Sequence, residues 1–170
     1  GEYTDSQSIT VTIYPENGTD TDTLLRNADS AMYKAKEKGR NASYFFTHEM
    51  DVNAQRRRAL EQALHYALKN NELFLNFQPI INFETDEVTS CEALIRWKNS
   101  EFGFISPDEF IPLAENVGLI IPIGEWVLKE ACKVAMTWVT TRRETVPSIS
   151  VNLSSYQFKK QDITQLVKQT

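Results

Sequence analysis

Cysteine and histidine are scarce: two of each stand among 170 residues. Cys91 and Cys132 have no CxxC partner, and His48 and His65 lie far from both. A zinc site needs about four soft or imidazole ligands, so zinc chemistry is not expected. Two isolated thiols suit a reducing, cytoplasmic setting. No run of 18 apolar residues occurs, so no membrane-spanning helix is expected in these residues, and no signal peptide is visible. Positive charge is short as well, at 18 Lys and Arg against 23 Asp and Glu for a net charge of -5. A general nucleic-acid binder usually carries a basic excess, so no nucleic-acid polymer is expected as partner. The one basic cluster, Arg56-Arg57-Arg58, reads as a solvated helix face. An initiating methionine is missing too, and the start Gly1-Glu2-Tyr3 reads as a piece of a longer protein, leaving open a membrane anchor elsewhere.

What is present is ordinary globular material, 41% hydrophobic and 24% charged. Residues 8 to 14 alternate and are β-branched, which predicts a strand, followed by a turn at Pro15-Glu16-Asn17-Gly18. Asp20 or Thr21 can cap a helix whose apolar residues, Leu24, Leu25, Ala28, Ala31, Met32 and Ala35, share one face, with Gly39 as its stop. A short strand at 43 to 46 and a helix over about 48 to 70 follow. That helix has a polar first part and then a stripe of Leu60, Ala63, Leu64, Ala67 and Leu68. The polar part reads as a connector, so the expected division is 1–46, a linker at 47–58, and 59–170.

Beyond the connector the grammar changes. Strands are predicted over 73–81 and 88–97, helices over 107–116 and about 123–139 with a break at Gly118, a strand over 148–153, and a short closing helix. A strand, a helical crossover and another strand imply parallel pairing and an α/β architecture. Side chains alternate along a strand, so Val88, Ser90, Glu92, Leu94 and Arg96 share one face. Glu92 and Arg96 stand roughly 13 Å apart along it. Ser148, Ser150 and Asn152 repeat the polar face on the later strand. If both strands join one sheet, Glu92 and Asn152 offer a charged and a neutral oxygen, the donors that Mg2+ or Mn2+ takes. A glutamate and an asparagine hydrogen-bonded within a sheet is the plain alternative.

Four segments occur in order: LFLNFQPI, CEALIRW, ISPDEFIPLAENVGLIIPIGEWVLKEAC and SISVNLSSYQF. From about Arg58 onward they resemble the opening half of the EAL family of cyclic di-GMP phosphodiesterases. Upstream, VTIYPENGTDTDTLLRNADSAMYKAKEKGRNASYFF is similar to the C-terminal end of a GGDEF, or diguanylate cyclase, domain. The resemblance implies an incomplete TIM-like (β/α) barrel preceded by the last strand and helix of a GGDEF α/β domain.

It further implies that Glu92 and Asn152 coordinate catalytic Mg2+ or Mn2+. Arg96 would contact a ligand phosphate, Gln78 would lie against the dinucleotide, and Leu94 would line its pocket. Lys36 and Arg40 would descend from the GTP phosphate contacts of the cyclase. The reaction expected of an intact parent is hydrolysis of cyclic di-GMP to pGpG, the alternative being a non-catalytic cyclic di-GMP receptor or interaction module. The family's later metal carboxylates, its lysine and its paired aspartates would follow Thr170. The chain alone is therefore expected to be inactive. Its open strand edges point to a homodimer or a similar arrangement. The GGDEF signature loop is not in the chain, and Ser8-Ile9-Thr10 stands where that family has Ser-Ile-Gly.

Overall fold

In the computed structural model, which describes residues 8–37, 43–141 and 146–169, the chain divides into two compact units, Gly1–Ala59 and Leu60–Thr170. In the first unit, β1 (Ile9–Val11) pairs in parallel with β2 (Ser43–Phe45), and α1 (Thr21–Glu37) connects them. The first strand is shorter than the alternation predicts. Residues 12 and 13 leave it for a turn in which Ile13 donates its N–H to Asn17 Oδ1 at 2.8 Å. Asp20 caps α1, accepting the Thr23 N–H and hydroxyl at 2.8 Å each. Those bonds, the backbone N–H first, hold the Asp20 carboxyl below its ordinary range.

The inner face of α1 is rotated from the predicted one. Leu25 and Met32 are exposed, whereas Ala31 and Ala35 are buried together with Asn27 and Ser30. The cause is polar. Asn27 Nδ2 donates to the Asn17 carbonyl at 2.7 Å and turns that side of the helix inward. The predicted Gly39 stop lies outside the described residues. In α2 (His48–Ala67), Arg56 and Arg58 are exposed as read from sequence, but the Arg57 guanidinium lies 4.0 Å from the centre of the Tyr33 ring.

The second unit holds a four-stranded sheet of β3 (Leu73–Asn82), β4 (Glu87–Asn99), β5 (Gly103–Ile105) and β6 (Ser148–Val151). The first two form an antiparallel hairpin closed at Asp86, whose φ is 57°. Along the opposite edge of β4 two strands share the space end to end. β6 pairs in parallel with Ser90–Ala93, and β5 pairs antiparallel with Trp97–Asn99. β5 has no counterpart in the sequence reading.

Helices α3 (Pro107–Asn116) and α4 (Ile120–Thr141) follow β5. Gly118, at φ 77°, separates them, and α4 starts three residues earlier than predicted. Pro122 falls in its first turn, where a missing N–H costs no helical bond. The chain closes with α5 (Ser155–Lys160) and α6 (Ile163–Gln169).

The core lies on one face of this sheet. Cys91, Ala93 and Trp97 of β4 are buried there with Leu60 and Leu64 of α2, Phe110 and Leu113 of α3, and Ile123 and Val127 of α4. Trp97 and Phe110 meet edge to face with centroids 5.6 Å apart. Alternation thus operates as read: odd positions of β4 face the helices, and the even positions from 90 to 96 are only half-buried.

One polar network pins the hairpin to this core. Glu72, half-buried in the turn after α2, accepts Trp97 Nε1–H at 3.0 Å and Asn99 Nδ2–H at 2.9 Å on one oxygen. Asn70 donates to the other at 3.2 Å, and the Glu72 carbonyl accepts the Lys98 N–H at 2.9 Å. Burial pushes the Glu72 carboxyl up, but the bonds from Trp97, Asn99 and Asn70 together outweigh it and hold the group below its ordinary value. Asn99 in turn accepts the N–H groups of Glu101 and Phe102 and shapes the β4–β5 turn. This is why β4 extends two residues beyond its predicted end.

Candidate functional site

The even face of the sheet carries the candidate residues because the registers of three strands agree. Gln78 of β3 is directly opposite Glu92 of β4, and Glu92 is opposite Ser150 of β6. Directly opposed side chains start about 4.5–5.5 Å apart at Cβ, so the three form a continuous polar row. The next rows place Asn76 opposite Leu94, and Phe74 opposite Arg96. Gln78, Glu92, Leu94 and Arg96 therefore lie on one face, as the alternation requires.

Asn152 arrives differently from the reading. β6 ends at Val151, so Asn152 stands one residue beyond the ladder, in the loop before α5. Ser154 caps α5 from extended backbone, which pulls the chain out of the strand early. Freed from pairing, the Asn152 amide reaches across to β4, and its Nδ2 donates to Glu92 Oε1 at 2.5 Å.

The pair is the hydrogen-bonded contact that the plain reading expects. It also sets a carboxylate and an amide side by side on an open face. Turning the amide about its last torsion exchanges nitrogen for oxygen and presents two hard oxygens to one point. Those donors fit Mg2+ or Mn2+ and not a soft metal. Among the described residues no group of three or more His, Cys, Asp or Glu gathers at one place. These two side chains would supply two of the roughly six positions that such an ion fills.

Arg96 is half-buried, and its Nη1 donates to the Ile95 carbonyl at 2.8 Å. Arg96 helps line a cavity of about 330 Å³, with Leu94, Ile111, Ile123, Val127 and Leu153 also in the walls. The cavity opens where the outer edge of β4 passes from β6 to β5, since Leu94, Ile95 and Arg96 have no strand partner on that side among the described residues. Of the two GGDEF-derived candidates, Lys36 falls in the last turn of α1, and Arg40 lies outside the described residues.

Sequence reading missed a second set of residues at this cavity: Glu115, Ser154, Gln157 and Gly124. Ser154 accepts the Tyr156 N–H at 3.1 Å and donates its hydroxyl to Glu115 Oε1. Gln157 Oε1 accepts the Ser154 N–H at 3.1 Å. The available signal was Ser154-x-x-Gln157, the spacing of a capping box. Nothing in the sequence marks Glu115 as its tertiary partner.

Comparison with known proteins places these elements. The EAL domain family model matches residues 58–170, and the diguanylate cyclase, GGDEF domain model matches residues 2–42. The chain is 42% identical over 153 residues to the "Bifunctional diguanylate cyclase/cyclic di-GMP phosphodiesterase MucR" of Pseudomonas aeruginosa, covering 90% of this chain and 22% of that protein. It is 38% identical over 165 residues to the "Cyclic di-GMP phosphodiesterase PdeR" of Escherichia coli, covering 96% and 24% respectively. Among solved structures, "PaMucR Phosphodiesterase, c-di-GMP complex" superposes with a TM-score of 0.62 at 38% identity, over 65% of this chain and 44% of that one. The chain spans about a fifth of the length of the curated relatives it matches.

Proposed function

The chain belongs to the EAL domain family, with the end of a GGDEF domain ahead of it, and from that premise we propose that the full-length protein hydrolyses cyclic di-GMP to pGpG with a divalent metal. The fold is the mixed α/β opening of the TIM-like barrel that EAL domains form. The relatives named as cyclic di-GMP phosphodiesterases support this reading. The observation that carries it is geometric. Two strands and the loop after β6 bring Gln78, Glu92, Arg96 and Asn152 to a single open sheet face, with Asn152 in contact with Glu92. In the domain assignment we propose, 1–46 is the GGDEF portion, 47–58 a helical linker and 59–170 the EAL portion.

Each residue then has a task. Glu92 and Asn152 would hold Mg2+ or Mn2+, and their contact keeps both groups at one place. When bound, such an ion polarises a phosphoryl oxygen and lowers the pKa of a bound water. Arg96, fixed through its bond to the Ile95 carbonyl, sets a permanent positive charge beside the phosphate and offsets charge that builds up at phosphorus. Gln78 stands next to Glu92 in the row and offers an amide to the dinucleotide. Leu94 supplies an apolar wall between Glu92 and Arg96 that excludes water from the phosphate.

The test is turnover by the full-length protein in Mg2+ or Mn2+, with pGpG resolved by chromatography. Cyclic di-GMP binding without pGpG would sink the hydrolase reading and leave a receptor. The 170-residue chain alone should give no pGpG, because two protein donors hold a hydrated Mg2+ weakly.

A further inference from the structure

Asn152 sits on a three-residue loop between the end of β6 and the start of α5, outside the strand ladder. What fixes this loop lies on the other side of the cavity. The Ser154 hydroxyl donates to Glu115 Oε1 while accepting the Tyr156 N–H, so one oxygen ties the loop to α3 and to α5 at once. Gln157 accepts the Ser154 N–H, and the residue is 1% exposed. Its amide rests on Gly124 of α4, where an added Cβ would fall 1.9 Å from Gln157 Nε2. The loop is thus clamped between two helices that flank the cavity.

Glu115 is in an unexpected place by local rules. It stands in the last turn of α3, which carries no basic residue, and the field of the helix's own carbonyls opposes an anion there. The charge pattern gives no reason for an acid at this position. Its bond to the Ser154 hydroxyl does.

We propose that Glu115 is a positioning residue for Asn152. Through Ser154 it sets the height of the loop over the sheet, so that the Asn152 amide meets Glu92 instead of relaxing toward solvent. The proposal rests on the reading of Glu92 and Asn152 as metal ligands and adds a residue that touches neither the ion nor the nucleotide. It differs from a simple staple between α3 and α5. A staple affects stability alone, whereas a positioning residue alters the metal demand of the site.

The experiment uses the full-length protein with Glu115→Ala, Glu115→Gln and Ser154→Ala. Gln keeps an oxygen that can accept the Ser154 hydroxyl, and Ala does not. Alanine at either position should lower kcat about 10–100-fold and raise the Mn2+ concentration for half-maximal rate by a similar factor. KM for cyclic di-GMP should stay within about twofold, and Glu115→Gln should recover to within about threefold of wild type. A second readout needs neither metal nor nucleotide. Amide hydrogen exchange over residues 152–158 should quicken about tenfold in Glu115→Ala and not in Glu115→Gln, with the β4 amides unchanged.

Wild-type exchange over 152–158 in Glu115→Ala would overturn the inference. So would faster exchange with unaltered kcat and Mn2+ demand, which would mark a staple. If Glu115→Ala fails to fold, Ser154→Ala removes the same bond from the other side and decides by the same readouts. A wild-type protein without turnover would remove the hydrolase reading, and the exchange comparison would then decide this inference alone.

Discussion

Replacing Glu72 with alanine tests how the candidate face is held in register. The carboxylate accepts from two donors that the core encloses, Trp97 Nε1 on a side chain 0% exposed and Asn99 Nδ2 on one 8% exposed. A buried donor left without its acceptor costs about 1–3 kcal/mol, which brackets the pair at about 2–6 kcal/mol. Glu72 itself is half-buried, so water can enter the space that alanine leaves, and the lower part of the range applies, about 2–3 kcal/mol. Asn70 is exposed and adds nothing, because water replaces its acceptor. Glu72→Gln keeps one acceptor oxygen and should cost about 1 kcal/mol, the difference between a charge-assisted and a neutral bond.

Urea unfolding followed by tryptophan fluorescence gives both numbers, since Trp97 reports directly on the network. The pH dependence has a definite sign. The folded pKa lies below its unfolded reference of 4.5, so the contribution is fully present above that value and is lost as pH falls through the folded pKa. The wild type should therefore lose stability relative to Glu72→Gln below about pH 4.5. A cost under about 0.5 kcal/mol for Glu72→Ala, flat across that window, would refute the claim that this network pins β4.

Three further outcomes follow from the same geometry. Gly124→Ala drives a methyl into the enclosed Gln157 amide and should destabilise by about 1–3 kcal/mol, read as a lower urea midpoint at constant m. Glu92→Gln and Asn152→Ala in the full-length protein should each lower pGpG formation by about 100-fold or more while leaving the unfolding midpoint almost unchanged, because both side chains stand on an open face. Arg96→Ala should weaken cyclic di-GMP binding about 10–100-fold in calorimetric titration, the value of one charge-assisted bond to phosphate.

The strands of the second unit were legible because their signal is short-range. Alternation in β4 separated Glu92 and Arg96 from Cys91 and Trp97 without reference to any other strand, and the ladder reproduces that division. Element ends were harder where a tertiary bond decides them. β4 runs on to Asn99 because Glu72 accepts from it, and β6 stops at Val151 because Ser154 is drawn to Glu115 and Tyr156. The rotation of α1 has the same origin, since only the fold brings Asn27 to the Asn17 carbonyl. β5 escaped notice because three residues carry too little periodicity to be read. The row of Gln78, Glu92 and Ser150 needed the pairing register, and a single chain does not state its register. Glu115 was invisible for a deeper reason: its partner lies 39 residues away and its own neighbourhood argues against it.

The hairpin of β3 and β4 also sets an order of assembly. Gln78 and Glu92 are brought together by closing one short turn, which costs little chain entropy and proceeds quickly. Asn152 is 60 residues from Glu92 and can meet it only after two helices have been laid down between them. The face is therefore written in two stages, with the hairpin fixing which side chains point outward before the loop exists to read them. A one-residue slip in that early pairing would turn Glu92 toward the helices and Cys91 toward solvent. In such a misfolded chain the late-arriving amide would find a thiol where it needs a carboxylate.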